Sequence, residues 1–238
     1  MRGMTSESDA KEQAARHLAA GDAAYAATLW DEAVSAYEAA LALASEHGEA
    51  AGVDEAAVLV RVGACCWSMS QARTAWRTLR QAMALYRDRG DGAGFARATV
   101  EVLRIWGPWE RQLSMANEAL DMLAAVDERD AVTQREQAYV RARLLMATSW
   151  RGRDERWEEA IRIGEAHGFG DILASRVENA SWMAYRTRGD LAESIRLADE
   201  AFDAYAAAGA HEGACQVLRG IGFSAFEIGA LDRGADLA

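Results

Sequence analysis

The sequence is poor in proline, cysteine and lysine. The scarcity of proline bears on the fold, and the scarcity of cysteine bears on the compartment. Its 238 residues include one proline, three cysteines (Cys65, Cys66 and Cys215) and a single lysine, Lys11. The cysteines provide neither a disulfide framework nor a Cys-x-x-Cys spacing, so they indicate reduced thiols in the cytoplasm. One proline, abundant alanine and the lack of alternating β-branched runs predict a chain that is helical throughout.

Basic residues are outnumbered, and long apolar runs are missing. The net charge of −11 argues against direct nucleic-acid binding, which needs clustered Lys and Arg. No run approaches 18 apolar residues, which predicts that the chain does not interact with a membrane. Residues 1–9, MRGMTSESD, are polar and contain no apolar core of a signal peptide.

Catalytic and metal-binding motifs are also missing. The four histidines, at 17, 47, 167 and 211, show no HxxxH or HExxH spacing. GFSAF at 222–226 has Phe226 where a nucleophile elbow needs its second glycine. RGDGAG at 89–94 lacks the Lys-Ser/Thr of a phosphate loop. We therefore predict a protein that is not an enzyme and that uses no cofactor or metal.

What the sequence does contain is a repeated pair of helices, clearest at residues 18–43. Around Ala33, Gly21 lies twelve residues before and Tyr37 four after. Gly63 and Ala75 repeat this spacing, as do Gly222 and Gly234, and Ser194 anchors a fifth copy. Small residues at these positions allow two helix backbones to approach closely, as a helical hairpin requires. Repeats of about 40 residues with two helices each indicate a helical solenoid.

The pattern predicts first helices at about 9–26, 54–68, 95–105, 133–151, 171–188 and 212–228. Second helices follow at about 30–47, 71–89, 109–126, 155–167 and 191–208, and a last one starts at Leu231 and is too short to cover its partner. Residues 87–94 are predicted to be a Gly-rich break between helices, and the turn 106–108 places Pro108 just before a helix.

These residues resemble the tetratricopeptide repeat (TPR) family, whose pattern the first copy matches through Gly21, Trp30, Ala33, Tyr37 and Ala40. The last copy matches through Ile221, Gly222, Gly229 and Leu231. Copies three to five depart from it, with Val100, Thr148 and Trp182 at the glycine position, and the closing proline is missing. The resemblance implies an all-α, right-handed TPR-like superhelical solenoid of about six antiparallel helix pairs, the last incomplete. We expect a disordered segment at 1–8 and one repeat domain at 9–238.

A narrower resemblance concerns residues 84–98, ALYRDRGDGAGFARA, which are followed by a Trp-Gly turn. It is similar to the TPR region of large bacterial LuxR-type and MalT-like regulators. This implies a second expectation, an effector-sensing repeat segment of a larger bacterial transcriptional regulator or signalling ATPase.

In TPR proteins the concave groove is lined mainly by the first helix of each pair. Carried over to this chain, the resemblance implies that the partner-binding groove is formed by Tyr25, Trp67, Arg97, Glu101, Arg104, Arg176, Asn179, Met183, Arg186, Arg219, Phe223 and Phe226. Arginine and aromatic side chains there would suit an anionic or acidic-amphipathic partner. The alternative is that these arginines pair with neighbouring carboxylates and the aromatics form core between repeats. The family's carboxylate clamp is not reproduced.

The predicted function is therefore recognition: a non-catalytic cytoplasmic scaffold or adaptor that binds a protein or peptide segment in its groove. The uncovered last helix, with Phe223, Phe226 and Ile228, would favour a homodimer through the C-terminal repeat, since a bare apolar face usually finds a partner.

Overall fold

The computed structural model describes residues 7–105, 109–126, 131–149 and 154–227. Within these ranges the regular structure consists of α-helices and one short 3-10 helix, and no strand is present. The prediction of an all-α chain is confirmed. None of the described helices is both long and apolar enough to cross a membrane.

The helices form two compact units, which divide between residues 128 and 129. Among its described residues the first unit contains six α-helices: α1 (Glu7–Ala26), α2 (Trp30–His47), α3 (Glu55–Ser68), α4 (Ala72–Arg89), α5 (Gly92–Leu103) and α6 (Trp109–Ala124). A 3-10 turn at Gly48–Ala51 follows α2. Each helix packs on the next one in the chain, and α3 also contacts α5.

The second unit contains five described helices: α7 (Ala131–Ala147), α8 (Glu155–His167), α9 (Gly170–Arg188), α10 (Leu191–Ala207) and α11 (His211–Glu227). Consecutive helices again pack on each other, and α9 contacts α11. Both units thus contain the same element, a pair of consecutive helices joined by a short link and stacked on the next pair.

Local sequence signals explain where the helices begin and end. Aspartates precede α3, α5, α8 and α10, and each carboxylate accepts a hydrogen bond from a backbone N–H of the first turn. Such N-caps satisfy donors that the helix itself leaves unpaired. Gly90 and Gly189, with φ of 68° and 64°, end α4 and α9 in the left-handed conformation that glycine adopts without strain.

The predicted small residues lie where the paired helices cross. Gly21, Ala33, Gly63 and Ala75 are all buried, which confirms their expected placement. The residue four after each anchor fills the space beside the glycine: a Cβ on Gly21 would lie 2.5 Å from the Tyr37 ring, and one on Gly63 would lie 2.5 Å from Leu79 Cγ. A small residue on the first helix therefore faces a large one on the second.

The fifth copy reverses this size relation. Trp182 of α9 takes the glycine position and Ala198 of α10 takes the position of Tyr37 and Leu79. Trp182 does not fill the crossing, because 40% of it remains exposed. The exchange of a small residue for Trp on one helix and of a large residue for Ala on the other opens a pocket here.

A second recurrent contact links successive pairs. Tyr86 of α4 packs on Gly94 of α5, and Tyr205 of α10 packs on Gly213 of α11, eight residues later in each case. Tyr86 and Tyr205 both lie eleven residues after their anchors, Ala75 and Ser194. The two units therefore share this contact between successive pairs.

The structure differs from the predicted boundaries at the Gly-rich break and at the start of the first helix. The Gly-rich break is shorter than expected, since α5 already begins at Gly92, and Gly92 and Gly94 are buried in contact with α6 and with Tyr86 of α4. α1 begins at Glu7, and the rest of the segment 1–8 lies outside the described residues. The turn 106–108, the last glycine anchor at 234 and the helix expected from Leu231 also lie outside them.

Candidate functional site

The predicted groove residues are divided between the two units. In the first unit, Tyr25 of α1 packs edge to face on Trp30 with ring centroids 5.2 Å apart, and the Arg61 guanidinium lies 5.9 Å from the Tyr25 centroid. Trp67 is half-buried on α3. These aromatics contribute to packing at the ends of helices, as in the core alternative that the sequence left open.

The predicted arginines have different surroundings. Arg97 is exposed on α5. Arg104, directly after α5, forms an ion pair with Glu101, and both side chains are mostly covered. In the second unit, Arg176 pairs with Glu165 of α8 at 3.0 Å. Arg104 and Arg176 are thus already paired with carboxylates of the chain, which weakens their case as ligand-binding groups.

The remaining predicted residues lie on α9 and α11. Asn179 and Met183 are half-buried, and Arg186 and Arg219 are exposed. The side chains of Phe223 and Phe226 lie outside the part that the structure describes, and so does the apolar surface expected to form a dimer. The stripe Arg176, Asn179, Met183 and Arg186 does run along one face of α9, as its spacing requires.

A pocket lies beside that stripe, in the second unit. α9, α10 and α11 line it with Glu178, Ser181, Trp182, Tyr185, Ser194, Ile195, Ala198, Val217 and Gly220. It holds about 370 Å³ of empty space, part of which is open to solvent. On α9, three of the lining residues each come directly before a residue of the predicted stripe: Glu178, Trp182 and Tyr185. One residue corresponds to a rotation of about 100° around the helix.

Polar contacts hold the walls of the pocket. The Ser181 hydroxyl donates to the Ser194 carbonyl oxygen at 2.7 Å, which ties α9 to α10. The Tyr205 hydroxyl donates to Glu178 Oε2 at 2.6 Å. Burial raises the pKa of the Glu178 carboxyl, and this hydrogen bond opposes the rise only in part. The pocket thus combines a fixed serine pair, a partly desolvated carboxyl group and an exposed indole.

A second candidate surface lies on α4, in the first unit. Arg73, Arg77 and Arg80 are four and three residues apart, so they share one face of the helix, and all three are exposed. Trp76 stands at the edge of this face, and the guanidinium of Arg111 lies 4.8 Å from its ring centroid. We name Arg73, Arg77, Arg80 and Arg111 the arginine face.

The arginine face differs from other basic positions of the same helix. Arg87 and Arg89, also on α4, pair with Glu118 and Asp54 at 2.6 and 2.8 Å. None of the four arginines of the face forms an ion pair with a carboxylate that the structure describes. The sequence analysis did not predict this surface, because the family resemblance places the binding groove on the first helix of each pair and α4 is a second helix. The signal was present as three arginines at i, i+4 and i+7 in a helix whose first acid is Asp88.

Similarity to known proteins adds no assignment. No protein-family model matches the chain, and no curated protein matches it. The likeness to tetratricopeptide repeats therefore rests on the residues quoted above. Across the described ranges, no group of three or more His, Cys, Asp or Glu side chains is placed to hold a metal ion.

Proposed function

We propose that this chain is a non-catalytic recognition module, a TPR-like solenoid of helix pairs, and that it binds an acidic segment of a partner protein through the arginine face. The observation that carries the proposal is the set of four exposed guanidinium groups without a described carboxylate partner, in a protein whose net charge is −11. Because the protein as a whole is negatively charged, a local positive surface is the feature that would attract and orient an acidic segment.

The stability of the fold does not account for these arginines. Arg73 is the second residue of α4, where the positive end of the helix dipole disfavours a cation. An exposed arginine that is not paired contributes little to folding. Guanidinium groups bind carboxylates in a two-pronged geometry, and Trp76 with Arg111 adds an apolar surface beside the charges. The arginine face thus suits a segment that mixes acidic and apolar residues.

Nucleic acid is the competing partner for a row of arginines. A short acidic segment can contact the arginine face alone, whereas a long phosphate backbone would also run past the negative remainder of the chain and be repelled by it. The proposal also keeps the cytoplasmic location expected from the sequence, and the three free cysteines, two of them buried, are consistent with it.

The test is fluorescence anisotropy with a labelled peptide of about twelve alternating Glu and Leu residues, titrated with the whole chain at two salt concentrations. We expect saturable binding that weakens as salt rises. The triple change Arg73→Gln, Arg77→Gln, Arg80→Gln should abolish it. The matched control Arg186→Gln, Arg188→Gln, Arg219→Gln removes the same charge from the second unit and should leave binding intact.

Three outcomes would overturn the proposal. Loss of binding in the control triple alone would move the site to the originally predicted groove. Equal binding by all three proteins would remove any role for the arginine face. Tighter binding of a labelled DNA duplex than of the acidic peptide, lost in the face variant, would assign the surface to nucleic acid.

A further inference from the structure

Glu178 is unusual among the carboxylates of the second unit. Its side chain is partly buried in the pocket wall, and one oxygen accepts the hydrogen bond from Tyr205. No basic side chain that the structure describes forms an ion pair with it. Arg143 of α7, whose charge acts on Tyr205, is paired with Asp171 at 3.3 Å. A desolvated carboxylate without a cation is costly to a folded protein, and burial raises its pKa.

Two aromatic side chains line the pocket on α9, the same helix that carries Glu178. Trp182 is one of two large apolar residues with substantial exposure in the described chain, and it stands over Gly220, whose Cβ position lies 3.8 Å from Trp182 Cζ2. Tyr185, three residues after Trp182 on α9, also lines the pocket. Ring faces attract cations, most strongly that of Trp. Ile195 and Ala198 of α10 add apolar surface to the lining.

We propose that this pocket binds an alkylammonium group, with the nitrogen against the Glu178 carboxylate and the alkyl chain against Trp182 and Ala198. A cation at this position pairs a carboxylate that no described basic side chain pairs. The enclosed part of the pocket is small and the rest is open to solvent, so the pocket takes the end of a side chain or a small amine rather than a large cofactor. This inference goes beyond the proposed function, since it concerns another unit, another site and a ligand of the opposite charge.

The size exchange at the crossing explains why the pocket exists in this copy. In the first two copies Tyr37 and Leu79 occupy the equivalent of Ala198 and leave no room. Here Ala198 leaves the space empty, while Trp182 stands at its rim. The carboxylate and the indole are therefore brought to the same cavity by one departure from the repeat pattern.

The experiment is a titration of the whole chain with n-butylammonium at neutral pH and constant ionic strength, followed by ligand-observed NMR and tryptophan fluorescence. Butyrate and n-butanol serve as matched probes of opposite and zero charge. We expect saturable binding of the ammonium probe only. Glu178→Gln keeps an oxygen that accepts from Tyr205 and should weaken binding at least about tenfold. Trp182→Phe keeps an aromatic ring and should weaken it about two- to fivefold.

Glu200→Gln is the charge-matched control, because Glu200 is an exposed carboxylate of α10 outside the pocket. The Glu200→Gln variant should bind the ammonium probe as tightly as the unaltered chain does. The short peptides acetyl-Ala-Lys-Ala-amide and acetyl-Ala-norleucine-Ala-amide separate the two sources of an alkylammonium. Tighter binding of the lysine peptide than of butylammonium assigns the site to a lysine side chain, and the reverse assigns it to a free amine. Absence of saturation by either cation, equal binding of butanol, or unchanged binding by Glu178→Gln overturns the inference. None of these outcomes depends on the arginine face.

Discussion

The backbone of Gly63 lies so close to Leu79 that a Cβ atom at residue 63 would stand 2.5 Å from Leu79 Cγ. Gly63→Ala should therefore destabilise the protein, because α3 and α4 cannot separate without loosening a buried crossing. Overpacking of this kind costs about 1–3 kcal/mol. The better helix propensity of alanine returns about 0.5–1 kcal/mol of that. Urea unfolding followed by circular dichroism measures the difference.

Gly220→Ala is the matched control, since a Cβ there would make only an ordinary contact of 3.8 Å with Trp182. It should be neutral or slightly stabilising. Adding Leu79→Ala to Gly63→Ala should cost less than the sum of the two single changes, because the added methyl group then occupies part of the vacated space. Additive costs would show that the two residues do not share this space.

The helix pairs could be predicted from the sequence because local signals fix most of their ends. α2 and α8 have the predicted bounds 30–47 and 155–167. The start of α5 could not be predicted in this way, since glycines at 92 and 94 indicate a turn when only local preference is considered. They are helical because α6 and Tyr86 pack against them more closely than a Cβ would allow. Tertiary packing decides that boundary.

The candidate sites were less predictable, for two physical reasons. The predicted stripe on α9 has the correct period, but the face that borders the pocket depends on α10 and α11, and it includes Glu178 and Trp182 instead of Asn179 and Met183. On α4, the arginine spacing was visible in the sequence. What the sequence could not show is which arginines find carboxylates on neighbouring helices. Arg87 pairs with Glu118, whereas Arg77 pairs with no carboxylate in the described part of the chain.

Arg73→Glu should stabilise the protein while it removes part of the arginine face. Residue 73 lies in the first turn of α4, and no acid is present there. Replacing a cation by an anion at a helix N-terminus is favourable by about 0.3–1 kcal/mol. For a chain of this size, that corresponds to a rise in Tm of roughly 1–4 °C. Differential scanning calorimetry at low ionic strength measures it.

The control for this prediction is Arg80→Glu, which makes the same charge change in the middle of α4. The dipole effect falls off within the first turn, so Arg80→Glu should leave Tm nearly unchanged. Equal shifts for the two variants would mean that the relief of repulsion among the arginines, and not the helix end, sets the stability.

Cys215 should be the one cysteine that reacts quickly in the folded protein. It is exposed, whereas Cys65 and Cys66 are buried on α3. Burial raises the pKa of Cys65 to about 11, and it raises the pKa of Cys66, with Glu38 adding to the effect. Thiolates are the reactive species, so both buried thiols should be inert near pH 8.

Reaction with Ellman's reagent, monitored by absorbance, tests this prediction. One rapid equivalent per chain is expected in native buffer, and three are expected in denaturant, since all three cysteines are free. Cys215→Ser should remove the rapid phase. A rapid phase that persists in Cys215→Ser would show that α3 opens readily enough to expose its thiols.

Glu178→Gln should change how stability depends on pH. Burial raises the pKa of Glu178 above its ordinary value of 4.5, although the hydrogen bond from Tyr205 lowers it in part. The folded chain therefore binds this proton more tightly than the unfolded chain does. The stabilising contribution of Glu178 is complete below pH 4.5 and is lost as the pH rises through its folded-state pKa.

At neutral pH the native carboxylate is desolvated without a described cation, and the glutamine variant avoids this cost while still accepting the hydrogen bond from Tyr205. Tm of Glu178→Gln should thus exceed that of the unaltered chain at pH 7, and the gap should shrink as the pH falls toward 4.5. Calorimetric scans across this range measure the gap, with the exposed Glu200→Gln as a control that should show little change. A gap that stays constant with pH, or that widens on acidification, would mean that Glu178 carries no raised pKa in the folded protein.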